Sequence, residues 1–487
     1  MTRILLHKKA KKGKGKQNKT SAKGDYIMNR RDFIRTAGLS AATLAMPGCL
    51  PAKRQAPDNI VDLPKPTQPQ LAWQQAEVGL VYHYDLHVFD GKQYSQNANQ
   101  RAPITDIDMF NPQEYNTDQW IEMAAAMGAR FAIITASHET GFRLWQSDAN
   151  PYSMKALKWR NGQGDVVGDF IDSCHKYRIK PGVYLGARWN SHLGVLDFKV
   201  QPRAKITQAA YNRLIEKEVE EICSRYGELF EIWFDGGILA PELGGPDVLP
   251  IFEKHQPDCL FYHSRQRSDA RWGGSESGTV GYPCWATMPF KGSQGHVDRN
   301  LLKHGDPNGK YWSPAMADAP LRNHEWFWEP DDEHKIYPLN SLVNMYYRSV
   351  GRNATLILGA VPDDRGLIPD ADSRRMAELG KEIRRRFRKP LAKTKGRGTT
   401  IELKLKRPAK INHVIIMEDI DFGERVRKYT LEAFVPGNKW QRICDGASVG
   451  HKRIQKFESV QAKKVRFRIT ESIAKPKIRK LAVYNVI

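Results

Sequence analysis

The sequence predicts an α/β protein: a (β/α)8-like barrel over residues 71–395, followed by a C-terminal β-sandwich over residues 396–487. Three observations lead there. Short apolar, β-rich runs alternate with amphipathic helical stretches, and strands separated by roughly 15–40 residues of helix and loop argue a parallel sheet. Six or more such units in about 320 residues favour closure into a barrel over an open sheet. After Arg397 the helical period stops and short alternating runs replace it, as in a small sandwich.

Val78–Tyr84 opens the barrel as its first strand. A helix over 117–127 follows, with Thr117 available as its cap, Trp120, Met123, Ala124 and Met127 on one face, and Gly128 as its stop. Arg130–Ala136 is the next strand. Then come helix Val166–Tyr177, strand Gly182–Leu185, a long helix over 207–225 and strand Phe230–Phe234. Leu260–His263, helix Leu339–Val350 and strand Thr355–Leu358 complete the pattern, and the basic run Arg384–Pro390 ends a last helix. In the sandwich the runs are Thr400–Leu405, His413–Met417, Tyr429–Val435, Lys464–Ile469 and Lys480–Tyr484.

Net charge is +22, unevenly placed: 14 Lys and Arg against 2 acids in residues 1–56, 21 against 9 in 396–487, and 41 against 43 between them. The central body is electrically ordinary, so no nucleic-acid partner is expected, since that function wants a basic face on the working domain. No apolar run after residue 50 is long enough to span a membrane. Residues 1–49 read as an address: a Lys-rich extension to residue 27, a start at Met28, the twin arginines Arg30-Arg31 with Phe33, an apolar stretch, and Gly48-Cys49. This pattern resembles a twin-arginine export signal and makes Cys49 a candidate for lipidation. The expectation is an exported protein, periplasmic or lipid-anchored at the envelope, with residues 50–70 as a linker. The six cysteines have no metal spacing and read as ordinary buried thiols.

In a barrel the chemistry gathers where strands end. Val78–Tyr82 leads to His83, Phe131–Thr135 to His138 and Glu139, and Val183–Leu185 toward Arg188 and Trp189. Phe230–Phe234 runs into Asp235-Gly236-Gly237, placing a carboxylate at a strand end, where it would be rigid and partly desolvated; the plainer reading is an Asp that caps the next helix.

Several of these segments together resemble family 29 glycoside hydrolases, the retaining α-L-fucosidases. Glu231-Ile232-Trp233-Phe234-Asp235-Gly236 looks like the family's nucleophile strand. Thr135–Trp145 resembles its T-A-K-H-H-D-G-F-x-L-W segment, and Ser349–Asn353 with Pro362–Ile368 its S-V-G-R-N…P-D-R-R-G-L-I signature. Phe110-Asn111-Pro112 with Thr117–Trp120 is similar to its first helix. Gly423–Val426 and Gly450–Arg453 resemble the sandwich of the subgroup active on α-1,3/4-linked fucose.

The resemblance implies an exo-glycosidase that releases terminal α-L-fucosyl residues, or a close analogue such as α-L-galactosyl, through a glycosyl-enzyme intermediate. Such a mechanism uses two carboxyl groups about 5–5.5 Å apart. Asp235 matches the nucleophile. Glu276, in Asp269-Ala270-Arg271-Trp272-Gly273-Gly274-Ser275-Glu276, matches the acid/base, with Glu325 as its rival. His83, His138 and Trp233 match sugar-binding positions, and Trp145, Tyr184 and Arg271 are weaker matches. The family's mechanism needs no metal or other cofactor. Three positions depart from the family: Glu139 replaces its second histidine, Met316 a usual Glu, and Gly359-Ala360 an Asn-Val. An ionised carboxylate only accepts, whereas an imidazole also donates, so Glu139 would alter the hydroxyl pattern read there. The expected partner is an oligosaccharide or polysaccharide, with acidic glycans a further expectation for the basic sandwich. Two other classes compete: a glycan-binding pseudoenzyme, and a polyanion-binding surface protein. The sequence does not fix an oligomeric state.

Overall fold

The computed structural model describes residues 62–292, 297–323 and 325–487; residues 1–49, read above as an export signal, and Cys49 lie outside them. Eight strands make the central sheet: β1 Val78–Tyr82, β2 Phe131–Ser137, β3 Lys180–Leu185, β4 Glu231–Ile238, β5 Leu260–Ser264, β6 Arg271–Trp272, β7 Ala315–Pro320 and β8 Ala354–Ala360. Their spatial order is β5-β4-β3-β2-β1-β8-β7-β6. Every ladder is parallel, and the sheet curls into a barrel whose seam lies between β5 and β6.

The barrel interior is a core of its own. Val81, Ile133, Tyr184, Trp233, Leu260, Tyr262, Met316 and Ile357 meet inside it, because alternate residues of parallel strands face inward. Gly79 is required at one layer: a Cβ there would lie 2.3 Å from the Phe131 ring. Helix Gln68–Ala76 closes the floor. Its Trp73 is fully buried in this core and donates to the Glu231 carboxylate at 2.8 Å, while Gln70 donates to the carbonyls of Asp269 and Trp312.

A second apolar layer joins the strands to the outer helices, among them Thr117–Met127, Val166–Tyr177, Gln208–Arg225, Leu339–Arg348 and Asp370–Phe387. The first of these is capped by Asn116, not Thr117: Asn116 accepts from the Gln119 amide at 3.2 Å. Thr117 instead turns its hydroxyl toward the Asp169 carbonyl and Ser173 of the neighbouring helix. Gly128 ends the helix in the left-handed conformation at φ 94°.

The C-terminal region has strands β9 Ala392–Arg397, β10 Thr400–Glu418, β11 Val426–Val435, β12 Lys439–Gly446, β13 Arg453–Ser472 and β14 Lys477–Tyr484, antiparallel in the order β9-β14-β10-β13-β11-β12. The two runs expected around 400–405 and 413–417 are one strand of 19 residues. Register shifts along β10 and β13 let each long strand serve both layers of a sandwich: Thr400–Lys404 pair with β13 beside β11, and His413–Glu418 pair with β14. Ile401, Leu403, Val414, Ile416, Leu431, Val465, Phe467 and Leu481 fill the space between.

The sandwich motifs singled out in the sequence are its attachment to the barrel. Glu77, just before β1, pairs with His451 at 2.9 Å and with Lys452. Those partners hold the Glu77 carboxyl well below its usual range against the cost of burial. Glu424 accepts from the Ala286 amide and from Asn353, whose side-chain oxygen accepts from the His451 amide.

Candidate active site

The inward period of β4 carries Glu231, Trp233 and Asp235 up the barrel wall, so Asp235 reaches the C-terminal rim. No helix begins there, which removes the capping role. The chain instead turns through Gly236 and Gly237 at φ 63° and 88°, where L side chains are strained. A Cβ on Gly236 would also sit 2.7 Å from the Arg188 side chain.

A cleft of about 890 Å3 opens over this rim, with Trp233, Asp235, Trp272, Glu276 and Asp318 among its walls. Asp235 keeps one face on the cleft. Protein surrounds the rest of its carboxyl and raises its pKa; nearby His138 and a hydrogen bond from Tyr184 oppose this, and the charges of Glu139 and Glu276 add to it. Tyr184 is placed by its register opposite Trp233 on the adjacent strand. Glu276 stands exposed on the loop after β6, and its carboxylate accepts from the Trp326 indole at 3.0 Å. Gly359 makes room for that indole, since a Cβ there would lie 2.9 Å from the Trp326 ring.

His83 and His138 form an edge-to-face pair at 5.7 Å, and Tyr184 stacks on His138 at 5.5 Å. Burial pushes His138 down to about 4, so it is neutral near pH 7, with Nδ1 free of protein partners. The Trp233 indole N–H likewise has none among the described residues. Both are buried polar atoms beside or under the cleft, left without a protein hydrogen bond among the described residues.

Glu139 lies beside this cluster, but its oxygens are already engaged: Gln100 donates at 2.6 Å, and Gln96 and Tyr94 at 3.3 Å. Burial raises its pKa against those bonds. Glu139 therefore shapes the site chiefly through its field and through the helix Gln96–Arg101 that it holds.

Two residues expected to touch the sugar are engaged by the protein itself. Trp145 is no cleft residue: it is fully buried in the outer core, with its indole donating to Glu221 at 2.9 Å. Arg271 reaches the cleft wall, but its guanidinium is tied to the carbonyls of Leu302 and Ser313 and to the Cys284 sulfur, so it braces loops. Glu325, the rival acid, is paired with Lys335 at 2.8 Å. Met316 lies in the barrel core, wholly buried.

The structure adds Asp318 to the site. It follows Met316 by two residues on β7, is 4% exposed, and accepts from the Trp272 indole at 3.0 Å. Burial first, then the charge of Glu276, hold its pKa well above the usual range. A third carboxyl, disposed to be protonated, thus lines the same cleft as the two predicted ones. The strand that carries it, Ala315–Pro320, is short and holds no β-branched or aromatic residue, so the sequence gives little sign of it.

Comparison with known proteins agrees with this architecture. The alpha-L-fucosidase family model matches residues 67–386. A Bacteroides thetaiotaomicron protein, provisionally assigned as an alpha-L-fucosidase, is 55% identical and superposes with a TM-score of 0.85 over 87% of this chain and 100% of its own. A glycoside hydrolase family 29 member from an unknown rumen bacterium is 32% identical, with a TM-score of 0.74 over 87% of this chain and 77% of its own. Alpha-L-fucosidase 1 of Arabidopsis thaliana is 28% identical over 87% of this chain and 88% of its own.

Proposed function

The chain belongs to the alpha-L-fucosidase family, glycoside hydrolase family 29, and we propose that Asp235 and Glu276, which line one cleft at the barrel rim, are the nucleophile and the acid/base of a retaining α-L-fucosidase. The observation that supports the assignment is that both carboxylates line one cleft at the barrel rim.

In the first step an Asp235 oxygen attacks the anomeric carbon while the bond to the leaving oxygen breaks and Glu276 gives that oxygen its proton. In the second, Glu276 takes a proton from water, which attacks the glycosyl-enzyme and frees Asp235. Tyr184 donates a hydrogen bond that stabilises the Asp235 carboxylate between turnovers. His83, His138 and Trp233 would read the sugar by imidazole and indole bonds and by ring contact. Asp318, kept protonated, would act as a donor rather than as a second anion.

The sugar is α-L-fucose or a near analogue such as α-L-galactose; the departure at Glu139 favours the analogue or a branched natural glycan. Cleavage of an aryl α-L-fucoside followed by proton NMR tests the mechanism: the α anomer should appear first. A β anomer appearing first would exclude retention. The same panel with an aryl α-L-galactoside ranks the sugars. The proposal includes export through the twin arginines, with cell fractionation of an Arg30→Lys, Arg31→Lys variant as its check: the protein should stay in the cytoplasm, and unchanged export would reject the signal.

A further inference from the structure

We propose that a pocket on the flank of the barrel, behind the loop that carries Glu276, binds an oxyanion group, sulfate or carboxylate, carried by a glycan. The pocket encloses about 550 Å3 and its lining includes Ser275, Ser277, Thr279, Lys303, Arg348 and Arg352. The Ser277 hydroxyl lies 2.9 Å from that of Ser275 and 2.8 Å from that of Thr279, so the three form a continuous row of donors and acceptors.

The cations are the unusual part. Arg352 is anchored by a hydrogen bond to the Val280 carbonyl at 2.7 Å, which fixes its guanidinium. Among the described residues no ion pair involves Lys303, Arg348 or Arg352. The charges acting most on Arg352 are two further cations, Arg348 and Arg453, which with burial lower its pKa. Gathering like charges in a concavity is unfavourable unless an anion offsets them. Guanidinium groups match oxyanions bidentately, and hydroxyls complete the coordination.

Several sandwich cations, by contrast, do have carboxylate partners: Arg466 and Arg468 with Glu432, Arg442 with Asp445, Lys428 with Glu471, and Lys452 with Glu77 of the barrel. The pocket volume falls in the roughly 300–1,000 Å3 range of small-molecule sites, far more than a bare tetrahedral anion fills, which argues for a sugar-borne group. This site stands apart from the catalytic assignment, since its lining excludes Asp235 and Glu276.

Isothermal titration of the full chain at fixed ionic strength, with N-acetylglucosamine 6-sulfate, N-acetylglucosamine and inorganic sulfate, tests it. The sulfated sugar should bind one to one, at least about tenfold tighter than either other probe. A Lys303→Gln, Arg348→Gln variant should weaken that binding by about tenfold or more. A Lys404→Gln, Lys406→Gln variant, which loses the same charge from exposed sandwich positions, should leave it unchanged. Four results would overturn the proposal: no binding, equal binding of the unsulfated sugar, inorganic sulfate binding as tightly as the sulfated sugar, or equal weakening by both variants.

Discussion

Glu231 and Asp235 stand four residues apart on the same face of the same strand, yet one belongs to the floor of the barrel and the other to its mouth. Burial raises both carboxyls, Glu231 to about 8. At the floor, helix Gln68–Ala76 seals the end: Glu231 has no exposed surface, takes a single bond from Trp73, and leaves its other oxygen unpartnered. At the mouth, Asp235 has Tyr184 as donor, His138 beside it, and an open cleft in front. The same chemistry on one strand thus becomes structural or reactive according to what closes the barrel end.

The sharpest way to break the comparison is to neutralise each carboxyl. Asp235→Asn should cost at least about three decades of kcat with the thermal unfolding midpoint preserved. Retention of more than a tenth of wild-type turnover would remove Asp235 from the chemistry. Glu276→Ala should slow substrates with poor leaving groups by about two to four decades and activated aryl glycosides far less, because only the former need a proton on the departing oxygen. Equal slowing of both would remove Glu276 from the acid role and leave Glu325 as the candidate.

Glu231→Gln should leave kcat unchanged and alter stability instead. A carboxyl whose folded pKa is raised binds its proton more tightly in the native state. Its contribution is complete below the ordinary Glu range and is lost as pH rises toward about 8, by at most about 1.4 kcal/mol per pH unit. Denaturant melts at pH 5 and pH 8 should therefore converge in the variant relative to the parent; an unchanged difference would show that Glu231 does not titrate in this window. The smallest effect belongs to Glu139→Gln. Glu139 raises Asp235, so its neutralisation should move the acid limb of the kcat/KM profile to lower pH, because the nucleophile must be ionised. A limb that stays in place or moves up would show that the field of Glu139 does not reach Asp235.

The sequence disclosed what local patterns encode. Helix Val166–Tyr177 is found at its expected bounds, because its apolar face and its flanking Asp165 cap are contiguous in sequence. Asp235 was legible because Phe230, Ile232, Trp233 and Phe234 announce a buried strand that runs into a carboxylate. β6, with two residues, and β7, built of Ala, Met and Pro, carry no such signature, and Asp318 was hidden with them. Trp145 and Arg271 show the converse. Their motif positions suggest ligand contact, but their real partners, Glu221 for the first and the carbonyls of Leu302 and Ser313 for the second, lie tens of residues away and become neighbours only in the fold.

The assignment of Asp235 as the nucleophile of a retaining reaction is tested most directly by trapping the covalent intermediate. The full chain would be incubated with 2-deoxy-2-fluoro-α-L-fucosyl fluoride, whose fluorine slows the second step, and the labelled peptide mapped by mass spectrometry. A single glycosyl adduct on Asp235, formed in step with loss of activity, is the expected result. An adduct on Glu276 or Asp318, or inactivation with no adduct on the Asp235 peptide, would contradict it.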